Sequence, residues 1–209
     1  MEPPLEILDW VVATLAGDQD AFAQLVLAYQ DDVYNLCYRM LGDRIEAEDA
    51  SQESFLRAYR NLGSFNRERS FKTWLLSIAS HHCIDRLRRR RISFISLEDE
   101  PSAGSLALAS DEPNPEQAAI AHETSEEFQQ LLAQLPEDYR LVVILRYWYD
   151  YSYREIAELQ GESVSAVKSK LFRARRRLAE VHPDASRKEA PKQRARSPEE
   201  RLSIPEEGD

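Results

Sequence analysis

The stretch Tyr151–Glu180, YSYREIAELQGESVSAVKSKLFRARRRLAE, decides the predicted fold of this chain. Ser152 is followed three residues later by Glu155, a capping-box pattern that predicts the start of a helix. Gly161 can adopt the positive φ that ends a helix, and Ser163 can cap a second one. We therefore predict two helices separated by a glycine turn.

The second of these helices is predicted to have one apolar and one cationic side. Its inward positions are spaced by three and four residues, as in an amphipathic helix: Val164, Val167, Leu171, Ala174 and Leu178. Its cations are Lys168, Lys170, Arg173, Arg175, Arg176 and Arg177. The pattern is typical of a helix-turn-helix, whose second helix lies in the DNA major groove. A solvated basic helix at the end of a bundle is the alternative interpretation.

Charge is segregated along the chain, although the net charge is −10. No Lys or Arg precedes Arg39, and none lies between Arg91 and Arg140. The cations are instead concentrated at 86–91, at 168–177 and near the C-terminus. We expect two DNA-facing patches on a chain that DNA otherwise repels, so that binding is weak alone and strong when a partner adds contacts.

The order of these segments predicts an all-α protein of two small helical domains joined by a flexible acidic linker. The 209 residues include only 6 Gly, and few segments resemble strands. We expect an N-terminal helical extension over 1–17, a first domain over 18–92, a linker over 93–115, a second domain over 116–182 and a disordered tail over 183–209.

Helical spacing also predicts which side chains of the first domain face its core. In the first helix these are Leu5, Leu8, Val12 and Leu15. In the helix opened by the cap Asp43 they are Ile45, Ala50, Phe55, Leu56, Tyr59 and Leu62. On the other side of that helix, Asp49, Gln52 and Glu53 lie beyond the first turn and could accept a basic partner protein, whereas Glu46 is explained by the helix dipole.

Other chemistry has little support in the sequence. Cys37 and Cys83 are predicted to be buried thiols in a reducing cytosol. His81, His82 and Cys83 are adjacent and point in different directions on a helix, so they cannot share one ion. We identify no nucleophile with its base and no Gly-rich phosphate loop, and we expect no catalytic residue, metal or cofactor. There is no secretory signal and no apolar run near the roughly 18 residues of a membrane span, so we expect a cytoplasmic protein that does not enter membranes.

Three segments together resemble one protein family. They are AEDASQESFLRAYRNL (47–62), FKTWLLSIASHHCIDRLRRRR (71–91) and LPEDYRLVVILRYWYDYSYREIAELQGESVSAVKSKLFRARRRL (135–178). In this order they are similar to regions 2 and 4 of bacterial RNA polymerase sigma factors of the sigma-70 family. The short length, with a linker in place of a folded region 3, resembles the extracytoplasmic-function (ECF) group. The resemblance covers about Asp18 to Glu180.

The resemblance implies a partner for each surface. Asp49, Gln52 and Glu53 would bind the clamp coiled coil of the largest subunit of core RNA polymerase, and region 4 would contact the polymerase flap. The acidic linker would occupy the RNA-exit path, although an ordinary solvated linker is the alternative. An anti-sigma factor that covers these surfaces is also expected.

For the promoter −10 element, the resemblance implies capture of an unstacked base, which begins melting of the duplex. The candidate residues in the loop and at the start of the following helix are Asn66, Arg67, Ser70, Lys72 and Trp74. The candidates for duplex phosphates just upstream are Arg86, Arg88, Arg89 and Arg90. Because Phe71 and Trp74 have core-like spacing, burial is the alternative interpretation for them.

For the −35 element, the resemblance implies readout by the second helix of the helix-turn-helix. The candidates for base readout are Lys168, Ser169, Phe172 and Arg173, and those for phosphate contacts are Lys170, Arg176 and Arg177. Ser165 is a further candidate for contact with the −35 element. Ala166 departs from the family pattern, which often has Thr there, so a hydroxyl contact to the DNA backbone is in doubt.

The expected function is therefore that of a sigma factor, which binds core polymerase and directs promoter-specific transcription initiation. The alternative is a stand-alone helix-turn-helix transcriptional regulator. That alternative accounts for Tyr151–Glu180, but it leaves the acidic surface and the aromatic, basic helix without a role.

Overall fold

The computed structural model describes residues 5–96 and 128–181. The predicted tail at 183–209 and most of the predicted linker at 93–115 lie outside the described residues. Every regular element in the described segments is helical, so the all-α prediction is confirmed. None of the helices in these segments combines the length and the apolar character needed to cross a membrane.

The described helices are numbered in chain order. They are α1 (Leu5–Leu15), α2 (Gln19–Leu41), α3 (Arg44–Asn61), α4 (Phe71–Ser96), α5 (residues 128–133), α6 (Glu137–Tyr147), α7 (Tyr153–Gln160) and α8 (Val164–Val181), with a 3-10 turn at Leu62–Ser64. The last turn of α4 therefore runs past residue 93, where the linker was predicted to begin.

The helix ends follow from local chemistry, as the sequence predicts. Ser152 Oγ accepts a hydrogen bond from the Glu155 amide at 3.2 Å, and the Glu155 carboxylate accepts one from the Ser152 amide at 2.8 Å. Gly161 ends α7 with φ of 66°, and Gly42 ends α2 with φ of 78°, both in the left-handed region. The other predicted N-caps that accept a backbone hydrogen bond are Asp18, Asp43, Ser70 and Ser163.

Helix α2 is the centre of the first module, because α1, α3 and α4 all pack against it. The side of α3 that is buried there consists mainly of small residues: Ala47, Ala50, Ser51, Ser54 and Ala58. Small side chains let helix backbones approach closely, so they fill the contact with α2 and several large apolar residues of α3 stay on the surface.

This packing corrects two of the predicted inward faces. On α3, Ile45, Leu56 and Tyr59 are 73%, 51% and 44% exposed, so their inward assignment was wrong. On α1, Val12 and Leu15 are each 45% exposed, whereas the buried positions include Ile7 and Val11. In both helices a second set of residues has the same spacing, and contact with α2 decides which set is buried. In α8, Val164 is also exposed, because it is the first residue of the helix.

Helices α5–α8 form a second module that packs against α2 and α4. The buried side chain of Arg140, from α6, donates to the Met40 carbonyl of α2 and, at 3.0 Å, to the Ala133 carbonyl. Gln129 Nε2 donates to the Tyr38 carbonyl at 2.8 Å. The Tyr149 hydroxyl donates to the Asp32 carbonyl. The buried apolar residues of both modules belong to one continuous cluster.

We predict that Gly161→Ala lowers the free energy of unfolding by about 1 kcal/mol, because an L-residue is strained in the left-handed conformation. A Cβ at this position would meet nothing within 4 Å, so the cost is one of backbone conformation. Gly63→Ala is the matched control, since Gly63 has an equally open site and no positive φ. The midpoint of urea unfolding, followed by circular dichroism, should fall for the first variant only. Equal midpoints would contradict this assignment.

Candidate nucleic-acid interface

Helix α8 presents a continuous exposed face. Its buried side consists of Val167, Leu171 and Ala174, which pack against α6 and α7. The side chains on the outward side are Ser165, Lys168, Ser169, Phe172, Arg173, Arg176 and Arg177, all exposed. The predicted −35 residues therefore lie together on the free side of the helix-turn-helix, with the exception of Lys170, which is half-buried beside Glu162.

The most unusual residue of this face is Phe172, which is 65% exposed in the middle of a helix. Arg173 Nη1 lies 3.5 Å from the Tyr139 hydroxyl, and Arg176 Nε lies 3.0 Å from Glu180 Oε1. Both guanidinium groups remain exposed, so weak contacts of this kind leave them available to DNA. An exposed ring among cations is suited to contact with bases and phosphates.

The loop before α4 is anchored by an aromatic cluster. The ring of Phe65 lies 5.3 Å from the ring of Phe71 and 5.3 Å from that of Trp74. Phe71 is buried and Trp74 is half-buried, so the core interpretation is correct for Phe71 alone. Between these anchors, Asn66 and Arg67 are exposed. Sequence reasoning missed Phe65, although its position as the only apolar residue between Gly63 and Phe71 marks it as an anchor.

The basic side chains of α4 are already engaged by acids. Lys72 Nζ lies 2.9 Å from Asp32 Oδ2. Arg88 lies 3.4 Å from both Glu137 Oε1 and Asp138 Oδ1. Of the predicted phosphate contacts, Arg89 is exposed and forms no ion pair with another described residue.

Two further cations of α4 bind the acidic helix α3. Arg86 pairs with Asp49, and Arg90 pairs with Glu46. The structure therefore brings together residues that the sequence assigned to different partners: Asp49 to polymerase, and Arg86 to DNA. The Arg86 guanidinium holds the pKa of the Asp49 carboxyl below its usual value, because it donates a hydrogen bond to the carboxylate and attracts its charge.

A single exposed stripe runs along α3. Its members are spaced by four, three, four and three residues, like the seam of a coiled coil: Ile45, Asp49, Gln52, Leu56 and Tyr59. Glu53 is beside the stripe and pairs with Arg57 at 2.8 Å. The sequence analysis assigned the apolar members, Ile45, Leu56 and Tyr59, to the core, because large apolar side chains are usually buried.

Comparison with known proteins agrees with this arrangement. Residues 25–92 match the family described as Sigma-70 region 2, and residues 125–178 match Sigma-70, region 4. The chain is 42% identical over 166 residues to the ECF RNA polymerase sigma factor SigW of Bacillus subtilis (strain 168), covering 78% of this chain and 89% of the relative. It is 40% identical over 164 residues to the RNA polymerase sigma-H factor of Pseudomonas aeruginosa, covering 76% and 84%.

The chain belongs to the ECF group of the sigma-70 family. It is accordingly a sigma factor of promoter-specific transcription initiation. The name region 2 is used below for the module α1–α4, of which residues 25–92 match that family, and region 4 for the module α5–α8.

The fold of this sigma factor is also found in solved structures. The sigma factor RpoE from Bartonella quintana, in a co-crystal structure with the anti-sigma factor NepR, is 24% identical with a TM-score of 0.61, covering 77% of this chain and 95% of that one. CnrH, solved in complex with the cytosolic domain of CnrY, is 24% identical with a TM-score of 0.60, covering 84% and 96%. The helical architecture is therefore shared with RpoE and CnrH.

His82 is a buried residue of region 2 that sequence reasoning did not assign to this surface. It is buried close enough to Asp49 and Glu53 of α3 to interact with their charges, and its Nε2 has no hydrogen-bond partner among the described residues. Burial lowers its pKa below the usual value, and the nearby charges of Arg57 and Arg86 act in the same direction. The neutral form is favoured, so His82 does not add a cation to the DNA surface.

Cys37 and Cys83 are buried, as predicted, and their thiols contact each other in the core of region 2. The pKa of the Cys83 thiol is raised by its hydrogen bond with Cys37 and by burial. Protonated, buried thiols react slowly. Within the described segments, no group of three or more metal-ligating side chains is close enough to hold an ion.

Proposed function

We propose that this sigma factor acts through three surfaces: the α3 stripe on core RNA polymerase, the loop at 65–70 with the start of α4 on the −10 element, and α8 on the −35 element. The observation that carries the proposal is the exposed face of α8, where cations surround an exposed Phe172 opposite a fully buried apolar side. A helix exposed in this way fits the DNA major groove. We place this action in the cytoplasm, with no enzymatic step in the sigma factor itself.

At the −35 element, direct readout would come from the centre of the α8 face. Lys and Arg favour guanine edges, and a good bidentate pair is worth about 1–3 kcal/mol of discrimination. Lys168 and Arg173 are exposed and can reach base edges, with Phe172 between them against bases or sugars. Arg176 and Arg177 extend the face toward the phosphates, which position the helix without specifying sequence.

At the −10 element, the loop would hold a base outside the duplex. The rings of Phe65, Phe71 and Trp74 fix the loop, and Ser70 Oγ accepts from the Thr73 amide at 3.3 Å at the start of α4. Stacking on an aromatic ring is worth about 1–3 kcal/mol per base, which can offset the unstacking of one nucleotide.

On core polymerase, α3 would pack as an additional helix against the clamp coiled coil, with the α3 stripe as its contact surface. A stripe with coiled-coil spacing presents Ile45, Leu56 and Tyr59 for burial, while Asp49 and Gln52 between them supply charge and hydrogen bonds. The acids favour a basic partner. This surface extends the predicted set of Asp49, Gln52 and Glu53 by three apolar residues.

We further propose that region 4 contacts the polymerase flap and that an anti-sigma factor controls the chain. The sigma factor RpoE of similar fold was solved in complex with the anti-sigma factor NepR, which supports the second proposal. To inhibit the sigma factor, such a partner would have to cover the α3 stripe or one of the two DNA surfaces.

The two DNA surfaces must separate for one chain to read both elements. The names of the elements place them about 25 base pairs apart, which is about 85 Å along B-DNA. Residues 97–127 lie between the described segments. Fully extended, a chain of this length spans about 100 Å. The length of this segment is therefore sufficient for the proposed role.

Transcription in vitro tests the proposal. Core polymerase from the same source, supplied with genomic DNA fragments, should start RNA at a defined set of sites only when the sigma factor is present. Those sites should share sequence near −35 and −10. Titration of the sigma factor alone onto the same DNA distinguishes the stand-alone regulator, which would reach roughly nanomolar affinity without polymerase. Identical start sites with and without the chain would disprove the proposal.

We predict that Arg173→Ala blurs base preference at one or two positions of the −35 element, at a cost of about 1–3 kcal/mol for the preferred base. Arg177→Ala is the contrasting variant. It should weaken binding uniformly over all sequences and reduce the slope of log K against log salt by about 1, because it removes one phosphate contact. Transcription from a library of randomised −35 elements measures both effects. Equal preference profiles for Arg173→Ala and wild type would contradict the readout role.

We predict that Leu56→Ala weakens the binding of core polymerase by roughly 5- to 30-fold, since a half-exposed leucine that becomes buried contributes about 1–2 kcal/mol. Leu15→Ala is the matched control, because Leu15 on α1 is similarly exposed and lies outside the α3 stripe. Fluorescence titration of labelled sigma factor with core polymerase gives both affinities. If the two variants bind equally well, α3 does not dock by this stripe.

A further inference from the structure

Two ion pairs join α3 and α4 at successive turns of the helices. Arg90 of α4 pairs with Glu46 of α3, and Arg86, one turn earlier on α4, pairs with Asp49. A step back along α4 therefore corresponds to a step forward along α3, so the two helices are antiparallel at this contact. The pairs fix the register in which later turns of α3 meet earlier turns of α4.

The next turn of each helix carries His82 on α4 and Glu53 on α3. Residues four positions apart share a face of a helix, so His82 faces α3 as Arg86 does, and Glu53 faces α4 as Asp49 does. The register therefore places His82 level with Glu53. In this structure Glu53 pairs instead with Arg57 of its own helix, with Oε1 at 2.8 Å from Nε.

His82 is buried at this position with an unused hydrogen-bonding atom. The residue is 8% exposed, and its Nε2 has no hydrogen-bond partner among the described residues. Buried polar atoms in proteins are nearly always paired. An imidazole whose two nitrogens are both protonated is a donor at each of them, so His82 could donate to a carboxylate at the level of Glu53.

The charge of His82 depends on its surroundings in both helices. The charged groups that act on it are Asp49, Glu53 and Arg57 of α3 and Arg86 of α4. Burial lowers the pKa of His82 most, the two arginines lower it further, and the two carboxylates raise it. On the side of α2, the neighbouring titratable side chain is Cys37, whose thiol contacts Cys83. His82 is thus uncharged at neutral pH and gains its proton below the usual value of about 6.5.

The two carboxylates keep their charge in that pH range. The hydrogen bond from Arg86 lowers the pKa of Asp49, and the hydrogen bond from Arg57 lowers that of Glu53. The side chain of Glu53 is 33% exposed, at the border between the α3 stripe and the contact with α4. Glu53 can therefore face either an external partner or His82.

We propose that His82 is a positioning residue of the polymerase surface, which forms a third α3–α4 ion pair, with Glu53, when it takes up a proton. The inference rests on the proposed docking of α3 on core polymerase. While His82 is uncharged, Glu53 is available to a basic partner. Once His82 is charged, Glu53 turns inward and this part of α3 has a smaller negative charge to offer. Acidification therefore weakens the binding of core polymerase.

The free chain tests the pairing in the absence of polymerase. Proton NMR of the His82 ring, assigned by comparison with H82Q, gives its proton affinity in wild type, E53Q and E48Q. E48Q is the matched control, because Glu48 is an exposed acid of the same helix that faces Tyr34 of α2. His82 should bind its proton roughly tenfold more weakly in E53Q than in E48Q, since a nearby opposite charge favours the charged form. Equal proton affinity in the two variants would overturn the pairing.

Binding to core polymerase at two pH values tests the consequence. The quantity compared is the ratio of Kd at pH 5.5 to Kd at pH 7.5, which normalises each protein to itself. H81Q is the matched control, because His81 is the adjacent histidine of α4, exposed, with its Nδ1 at 2.6 Å from the Ser77 carbonyl. The ratio should be about 3- to 5-fold larger for wild type and H81Q than for H82Q and H82N, as expected for one charge close to a basic partner. Circular dichroism at both pH values verifies that the variants remain helical.

The outcomes separate this inference from the proposed function. An equal ratio for all four proteins would overturn the role of His82. The docking of α3 would still stand in that case if Leu56→Ala binds core polymerase more weakly than Leu15→Ala. If those two leucine variants bind equally well, the docking surface is wrong and the positioning role of His82 falls with it.

Discussion

The buried Arg140 guanidinium links the two modules of this sigma factor through its hydrogen bond to α2. The side chain leaves α6, enters the core and donates to the carbonyls of Met40, Ala133 and Leu135. Met40 lies in the last turn of α2, where carbonyls have no partner within the helix, and a cation there is favoured by the helix dipole. Burial lowers the pKa of Arg140 below its usual value, but three carbonyl acceptors compensate for much of the lost hydration. This contact acts together with the bonds of Gln129 to Tyr38 and of Tyr149 to Asp32, which also join the modules.

Several cations proposed to bind the −10 region are engaged by acids in the packed chain. Arg86 and Arg90 pair with acids of α3, and Arg69 and Arg88 pair with acids of region 4. The net charge of −10 and this pairing give the isolated chain little attraction for DNA. Because Asp49 is both a partner of Arg86 and a member of the polymerase stripe, polymerase that binds Asp49 would release a cation for DNA. Dependence on a large partner is thus built into the distribution of ion pairs.

Local chemistry made much of the fold predictable from the sequence. Ser152 and Asp18 cap helices, and Gly161 ends one in the left-handed conformation. Each of these effects involves only residues within four positions, so the sequence alone predicts it. The exposed face of α8 was predictable for the same reason, because a helix with one row of small and branched apolar residues has only one side to bury. The prediction for α3 failed in part, since Ala47, Ala50 and Ala58 fill the contact with α2 while Leu56 stays outside.

The contacts between modules could not be predicted in this way. Arg88 and Glu137 are 49 positions apart in the chain, and no periodic pattern connects them. Helical spacing shows that each residue is exposed on its own helix, but not that the two exposed surfaces meet. The same holds for the proximity of Asp49 and Arg86, which belong to helices with different predicted partners.

We expect the two modules to be packed together in the free chain and separated on a promoter. Spin labels on cysteines introduced at the exposed positions Gln24 of α2 and Ala179 of α8 would measure the distance between the modules. Cys37 and Cys83 are buried and would not take the label. Electron–electron distance measurement should give one narrow distance in the free chain. In the complex with core polymerase and promoter DNA, it should give a distance longer by tens of ångströms, on the order expected from the roughly 85 Å between the elements. The same distance in both samples would contradict the account.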